Sequence, residues 1–221
     1  MNTRLSSRLL LLFIFAIAST VGQEPPHAAA QNRHLSAKAG VGAQQYCQGD
    51  SHTFTVYFTL DLTLVNQSKT DVVLARKVKI PTVRVSATLA DAQAKHFFYN
   101  PDPYYVSTRP PTELNFGAVP DPALFIVLKP GEEYRTTQWT GILANLTTKK
   151  RKGRSGVTAG NYVAQVLVNT WPFETVPGPE IVKSWSKIGP LSNEIVESAF
   201  FPLALPVVKN AESCRTFRAP E

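Results

Sequence analysis

Apolar and polar residues alternate over two long stretches of this chain. From residue 54 to 64 every second residue is apolar (Phe54, Val56, Phe58, Leu60, Leu62, Leu64), and Thr55, Tyr57, Thr59, Asp61 and Thr63 lie between them. A period of two, with a β-branched polar face opposite an aliphatic one, predicts a strand with one side on a core and one in water. A helix would scatter the same apolar residues around its circumference. So long a run also predicts a bend, or a switch between sheets. In residues 158–171, Tyr162, Ala164, Val166 and Val168 alternate with Val163, Gln165, Leu167 and Asn169, which predicts a second half-buried strand.

Shorter runs fill the rest. Residues 72–74 are apolar, Val78 and Ile80 flank Lys79, and Val83, Val85, Ala87 and Leu89 alternate. Residues 124–128 and 134–142 read as strands around a Pro130-Gly131 turn, with Trp139 expected as a core or corner aromatic. Residues 191–196 open a last strand region that ends in 199–208, where Pro202 and Pro206 suit an edge. No stretch shows a helical period and no repeat is evident. The expectation is an all-β fold: one antiparallel sandwich of seven or eight strands with long loops, spanning residues 46–221. Residues 23–45, rich in Ala, Gln, Pro and Gly, are expected as a flexible tail.

Gly160-Asn161-Tyr162 resembles a tyrosine corner, in which a Tyr near a strand's start bonds back to upstream backbone. Leu128-Lys129-Pro130-Gly131-Glu132 precedes it, and an earlier strand ends Leu64-Val65-Asn66-Gln67-Ser68. This layout is similar to secreted bacterial immunoglobulin-like domains of fibronectin-III-like arrangement, and to proteinase-inhibitor-like domains of the BsuPI type. It covers most of residues 50–205. The resemblance implies an immunoglobulin-like sandwich with Tyr162 as its structural corner. It implies much less about function, because each motif is short and common.

The N-terminus predicts export. Arg4 and Arg8 precede an apolar run at 9–18, and Ala16-Ile17-Ala18 offers a cleavage site, with Thr20-Val21-Gly22 as the alternative. Residues 1–22 are therefore read as a signal peptide, its apolar run too short to span a bilayer; a retained anchor is the other reading. The expected location is periplasmic or extracellular, with no transmembrane segment after signal removal. There, Cys47 and Cys214 are expected to form a disulfide.

The formal charge is +7, and Arg4 and Arg8 leave with the leader. The remainder is too mildly basic for a specific nucleic-acid binder. Its densest run, Lys149, Lys150, Arg151, Lys152 and Arg154, reads as a solvated loop or a candidate polyanion contact.

Catalytic and metal motifs are missing from the sequence: no phosphate loop, nucleophile elbow or zinc-protease helix is present, and His52 and His96 have no ligand spacing. No cofactor or metal is expected. Asn66-Gln67-Ser68 and Asn145-Leu146-Thr147 match glycosylation sequons and are read as incidental. The richest candidate is an aromatic loop carrying Phe97, Phe98, Tyr99, Tyr104 and Tyr105 among prolines. Neighbours in an extended chain face opposite sides, so at least two rings are expected at the surface, as a contact patch for an unknown protein or glycan. The competing reading is a cap on the end of the sandwich. The function expected is an exported, non-catalytic binding module; the alternative is an exported enzyme or protease-inhibitor-like protein with unfamiliar motifs.

Overall fold

The computed structural model describes residues 34–49, 53–100, 113–114, 116–145, 157–173, 176–208 and 210–216. In chain order the elements are β1 (Leu35–Gln48), β2 (Phe54–Asn66), β3 (Val72–Ala75), β4 (Lys79–Ser86), α1 (Leu89–Gln93), β5 (Glu113–Leu114), β6 (Phe125–Leu128) and β7 (Glu133–Asn145). There follow β8 (Val157–Thr158), β9 (Gly160–Asn169), β10 (Val176–Pro177), α2 (Pro179–Trp185), β11 (Ile195–Glu197), β12 (Phe201–Leu205) and β13 (Glu212–Ser213). The fold is all-β and sandwich-like, with two short helices where none was expected. The signal peptide of the sequence reading lies outside the described residues.

One layer is a five-stranded sheet in the order β13-β1-β2-β7-β8. β2 pairs with β7 in unbroken register from Phe54 opposite Ala144 to Val65 opposite Glu133. β2 stays in one sheet along its whole length, so the switch between sheets that its length suggested does not occur. Its inner residues Phe54, Val56, Phe58, Leu60, Leu62 and Leu64 are all at most 3% exposed. Each is worth about 1.5–3 kcal/mol when buried.

The expected tail at 23–45 is corrected at its C-terminal end. β1 begins at Leu35 and pairs antiparallel with β2, with one bulge between Val41 and Gln44. Leu35 and Ala37 are buried, and Ala39, Val41 and Tyr46 pack against the core. Small residues give a weak apolar signal; the strand is conferred by the β2 edge it covers.

The opposing layer has β9 at its centre, flanked by β4 on one side and by β11 then β12 on the other. Glu197 lies opposite Leu167 and Phe201 opposite Ala164, so the β11–β12 side carries one extra residue, a bulge. There Ser198 donates its N–H to Val166 O (2.9 Å) and accepts from Val166 N–H on its Oγ (3.0 Å). Ala199 N–H donates to Ala37 O (2.8 Å), joining the layers along one side. Val83, Val85, Ala164, Val166, Val168, Phe201 and Leu203 face β2 across the main core. On the other face Gln165 is 6% and Leu167 4% exposed. The centre of β9 is thus covered on both sides, not half-buried as its alternation suggested.

β3 pairs with β6 and divides its side chains between two cores. Val72 and Leu74 enter the main one; Val73 and Ala75 join Phe125, Trp171, Ile181 and Trp185, with Phe116 and Phe173 against them. This aromatic core accounts for the Pro- and Gly-rich stretch after Trp171. Gly178 caps α2, Pro179 starts it with a preset φ, and Ile181 and Trp185 fall on one face. Trp185 Nε1 donates to Gly117 O (3.0 Å). Two turns are too short for a helical period to show. Trp139, by contrast, is half-exposed on the outer face opposite Thr59, outside both cores.

Two connections explain the turns. Lys129 O accepts from Glu132 N–H (3.0 Å), with Gly131 at φ 76°, where a type II turn needs glycine. Asn66, 1% exposed, donates its amide to Thr70 O and Leu128 O (both 2.8 Å) and accepts from Ser68 N–H (2.9 Å). The Asn66 sequon is therefore consumed inside the fold.

Cys47 and Cys214 form a disulfide with Cα atoms 4.8 Å apart, beside the parallel pairing of β13 with β1. It closes a separation of 167 residues, for which chain-entropy arguments give at most about 5 kcal/mol. Thiol titration of denatured, unreduced protein is expected to find no free thiol. Dithiothreitol is expected to lower the unfolding free energy by up to that amount; an unchanged midpoint would show that the crosslink contributes nothing.

Candidate functional site

The aromatic loop begins where β4 ends. Alternation was expected to continue from Val83 to Leu89, but Thr88 stops it. Its Oγ1 accepts from Asp91 N–H (3.1 Å) and donates to Asp91 Oδ2 (2.7 Å), an N-cap that starts α1. The chain then returns beside β4: Val85 N–H donates to Tyr99 O (2.9 Å), and Phe98 N–H donates to Val85 O (3.1 Å).

α1 ends in an unusual way. Lys95 N–H donates to Ala92 O (3.0 Å) and His96 N–H to Asp91 O (2.8 Å), the paired bonds of a Schellman end. Lys95 holds the left-handed position at φ 59°, where glycine is usual. That conformation costs a side-chain-bearing residue about 1–2 kcal/mol. The strain sets Lys95 at the rim of a cleft of about 190 Å³.

Arg84 forms the floor of this cleft. β4 and β9 pair Arg84 with Gln165, and β11 brings Glu197 to the same outer face. One guanidinium nitrogen donates to Glu197 Oε1 (2.9 Å) and to Gln165 Oε1 (3.3 Å), and Nε donates to Asn100 Oδ1 (3.3 Å). The guanidinium lies 5.3 Å from the centre of the Phe97 ring, a cation–π contact. Phe200 and Gln93 complete the walls. Glu197 balances Arg84, whereas Lys95 has no acidic partner among the described residues. Among the described residues the cleft therefore offers a cation without an acidic partner beside aromatic rings. Its described lining residues include no Ser, His or Cys.

The other rings of the loop divide differently. Phe98 is 43% exposed, with its ring 5.3 Å from that of Tyr162. Tyr99 is half-buried against the main core, and its hydroxyl accepts from Leu143 N–H (3.3 Å). Tyr104, Tyr105 and the basic run at 149–154 lie outside the described residues.

Tyr162 donates its hydroxyl to Thr158 O (2.9 Å) and contacts Thr158 Oγ1 (3.0 Å), a bond to backbone four residues upstream. Gly160 makes room: a Cβ there would lie 3.3 Å from that hydroxyl. Phe98 roofs this corner, so the exposed ring rests on a rigid support.

Arg84, Lys95, Glu197 and Phe200 escaped the sequence reading. Arg84 interrupts an apolar strand at an outward position, the one local sign that could have singled it out. A larger cleft of about 410 Å³ runs along β6 between Arg76, Pro120, Pro122 and Tyr134. Its polar groups bond to one another, Tyr134 Oη to Arg76 O and Arg76 Nε to Pro122 O (2.6 Å).

Compared with protein-family models, with curated proteins and with solved structures, the chain matches none.

Two substitutions separate support from strain. Tyr162→Phe keeps the ring and removes the hydroxyl bond, with an expected loss of about 1–2 kcal/mol in urea unfolding. Lys95→Gly is expected to stabilise the protein by about 0.5–1 kcal/mol, the strain released less the added backbone freedom of glycine. Destabilisation of the Lys95→Gly variant would mean that the lysine side chain contributes more than its conformation costs.

Proposed function

We propose that this chain is an exported, non-catalytic binding domain of immunoglobulin-like type. It engages a protein or glycan partner through Phe98 and the cleft walled by Arg84, Lys95 and Phe97. The observation that carries this reading is Lys95. A residue held in a costly conformation, its charge unpaired beside a ring-lined cleft, is what a recognition site tolerates and a purely structural helix end does not require. The cleft's volume suits one sugar ring or one side chain better than a larger ligand. Its free cation favours a ligand bearing a carboxylate or other anionic group.

The immunoglobulin-like assignment is supported by sheet order. β1-β2-β7 and β4-β9-β12 follow the A-B-E and C-F-G pairing of that fold. Export is supported by the Cys47–Cys214 disulfide, since such bonds persist in oxidising compartments.

The test is an array of neutral and acidic oligosaccharides together with a cell-envelope protein extract, probed with the wild type, Phe98→Ser and Lys95→Gly. The expected result is a bound species whose retention falls at least tenfold in both variants, while Lys95→Gly keeps an unfolding midpoint at or above the wild-type value and Phe98→Ser stays folded at the assay temperature. Retention that follows the basic run at 149–154 instead would move the site away from the cleft. A protein that retains nothing from either source would remove the binding reading.

A further inference from the structure

Among the described residues, β7 leaves a long backbone edge open. At the start of its ladder Asn66 N–H donates to Glu132 O (3.1 Å), and near its end Leu143 N–H turns the other way, to the Tyr99 hydroxyl (3.3 Å). Antiparallel strands alternate the direction of their backbone groups. The N–H and C=O groups of Glu133, Arg135, Thr137, Trp139 and Gly141 therefore point away from β2. Among the described residues no strand takes them, since β8 joins β7 only at Ala144 and Asn145.

Proteins usually blunt such an edge with proline, lysine or a bulge. Residues 133–141 contain no proline and no lysine, and their register with β2 is unbroken. Arg135 is the sole cation of this segment, and it is paired with Glu133 two residues away (2.8 Å). An undefended edge marks a place where another strand docks.

We propose that this edge is a homodimer interface, in which β7 pairs antiparallel with β7 of a second copy about a two-fold axis through Thr137. That axis alone pairs all five open residues among themselves. Thr137 meets Thr137, Arg135 meets Trp139, and Glu133 meets Gly141. The cation then lies beside an indole ring, and no like charges face each other. On the other side of the sheet Thr136 meets Gln138 and Tyr134 meets Thr140, both pairs able to hydrogen-bond. Moving the axis to Arg135 opposes two guanidinium groups. Moving it to Gln138 sets Glu133 against Leu143, whose N–H Tyr99 already occupies. The contact is isologous, so it closes at two copies and joins the two five-stranded sheets into one.

Sedimentation equilibrium on the disulfide-intact protein tests this. The wild type is expected to show a concentration-dependent mass reaching twice that of one chain. Thr137→Pro removes only an N–H on the open side, so it is expected to keep the circular dichroism of the fold and to sediment as a monomer. Thr137→Cys covers the case in which the proline variant does not fold. Residues in a bonded antiparallel pair have Cα atoms about 5.5 Å apart, within disulfide reach, so this variant is expected to crosslink as a covalent dimer under air oxidation. Arg135→Cys, which faces Trp139, is expected not to. A wild type that stays monomeric at its solubility limit overturns the proposal, including when the edge takes a strand of another protein instead. So does a dimer that Thr137→Pro leaves intact, or one that Thr137→Cys fails to crosslink.

Discussion

The structure follows from the need to cover the inner face of β2. Thirteen residues at about 3.4 Å each make a strand of roughly 40 Å, with an apolar side chain at every second position. No opposing strand is that long; β9, the longest in the second layer, has ten residues. The layer opposite is therefore assembled from pieces: β3, β4, β9, β11 and β12 each cover part of β2, and bulges and turns join them. Asn66 sits where this patchwork begins. Its buried amide ties the end of β2 to the turn before β3 and to the last residue of β6.

Covering one face in pieces leaves other faces open, and the aromatic core closes one of them. β3 is buried on both sides, all four of its residues at 1% exposure or less. Val73 and Ala75 require a second hydrophobic layer, which Phe125 from β6, Trp171 after β9 and Trp185 from α2 supply. On the other side of the molecule, Arg84 and Gln165 occupy positions where the outer face of β4 and β9 is neither fully covered nor fully wet. A cleft of polar floor and aromatic walls results, and the end of α1 supplies its cation.

Much of the fold was legible in the sequence, because β2, β7 and β9 carry period-two patterns that survive without tertiary context. The Pro130-Gly131 turn and the Gly160–Tyr162 corner were legible for a related reason: each needs a particular residue at a particular backbone conformation. What stayed hidden was conferred by neighbours. The Ala- and Gly-rich residues of β1 become a strand by pairing with β2, and α2 is held by Ile181 and Trp185 against an aromatic core that no local pattern announces. The cleft was half legible. Phe97 and Phe98 stood out as clustered rings, but their partners Arg84 and Glu197 are 113 residues apart in the chain and meet only through β9.

The position of the disulfide has a consequence for the order of assembly. Cys47 lies in the second strand from the edge of its sheet, while its partner sulfur arrives 167 residues later. β1, β2 and β7 are all synthesised before Cys214, so the centre of that sheet is free to form on an incomplete chain. Cys47 has to wait, as a thiol, until Cys214 has been made. The covalent bond therefore acts as a late seal on a largely built sandwich, and a chain truncated before residue 214 leaves Cys47 without its partner.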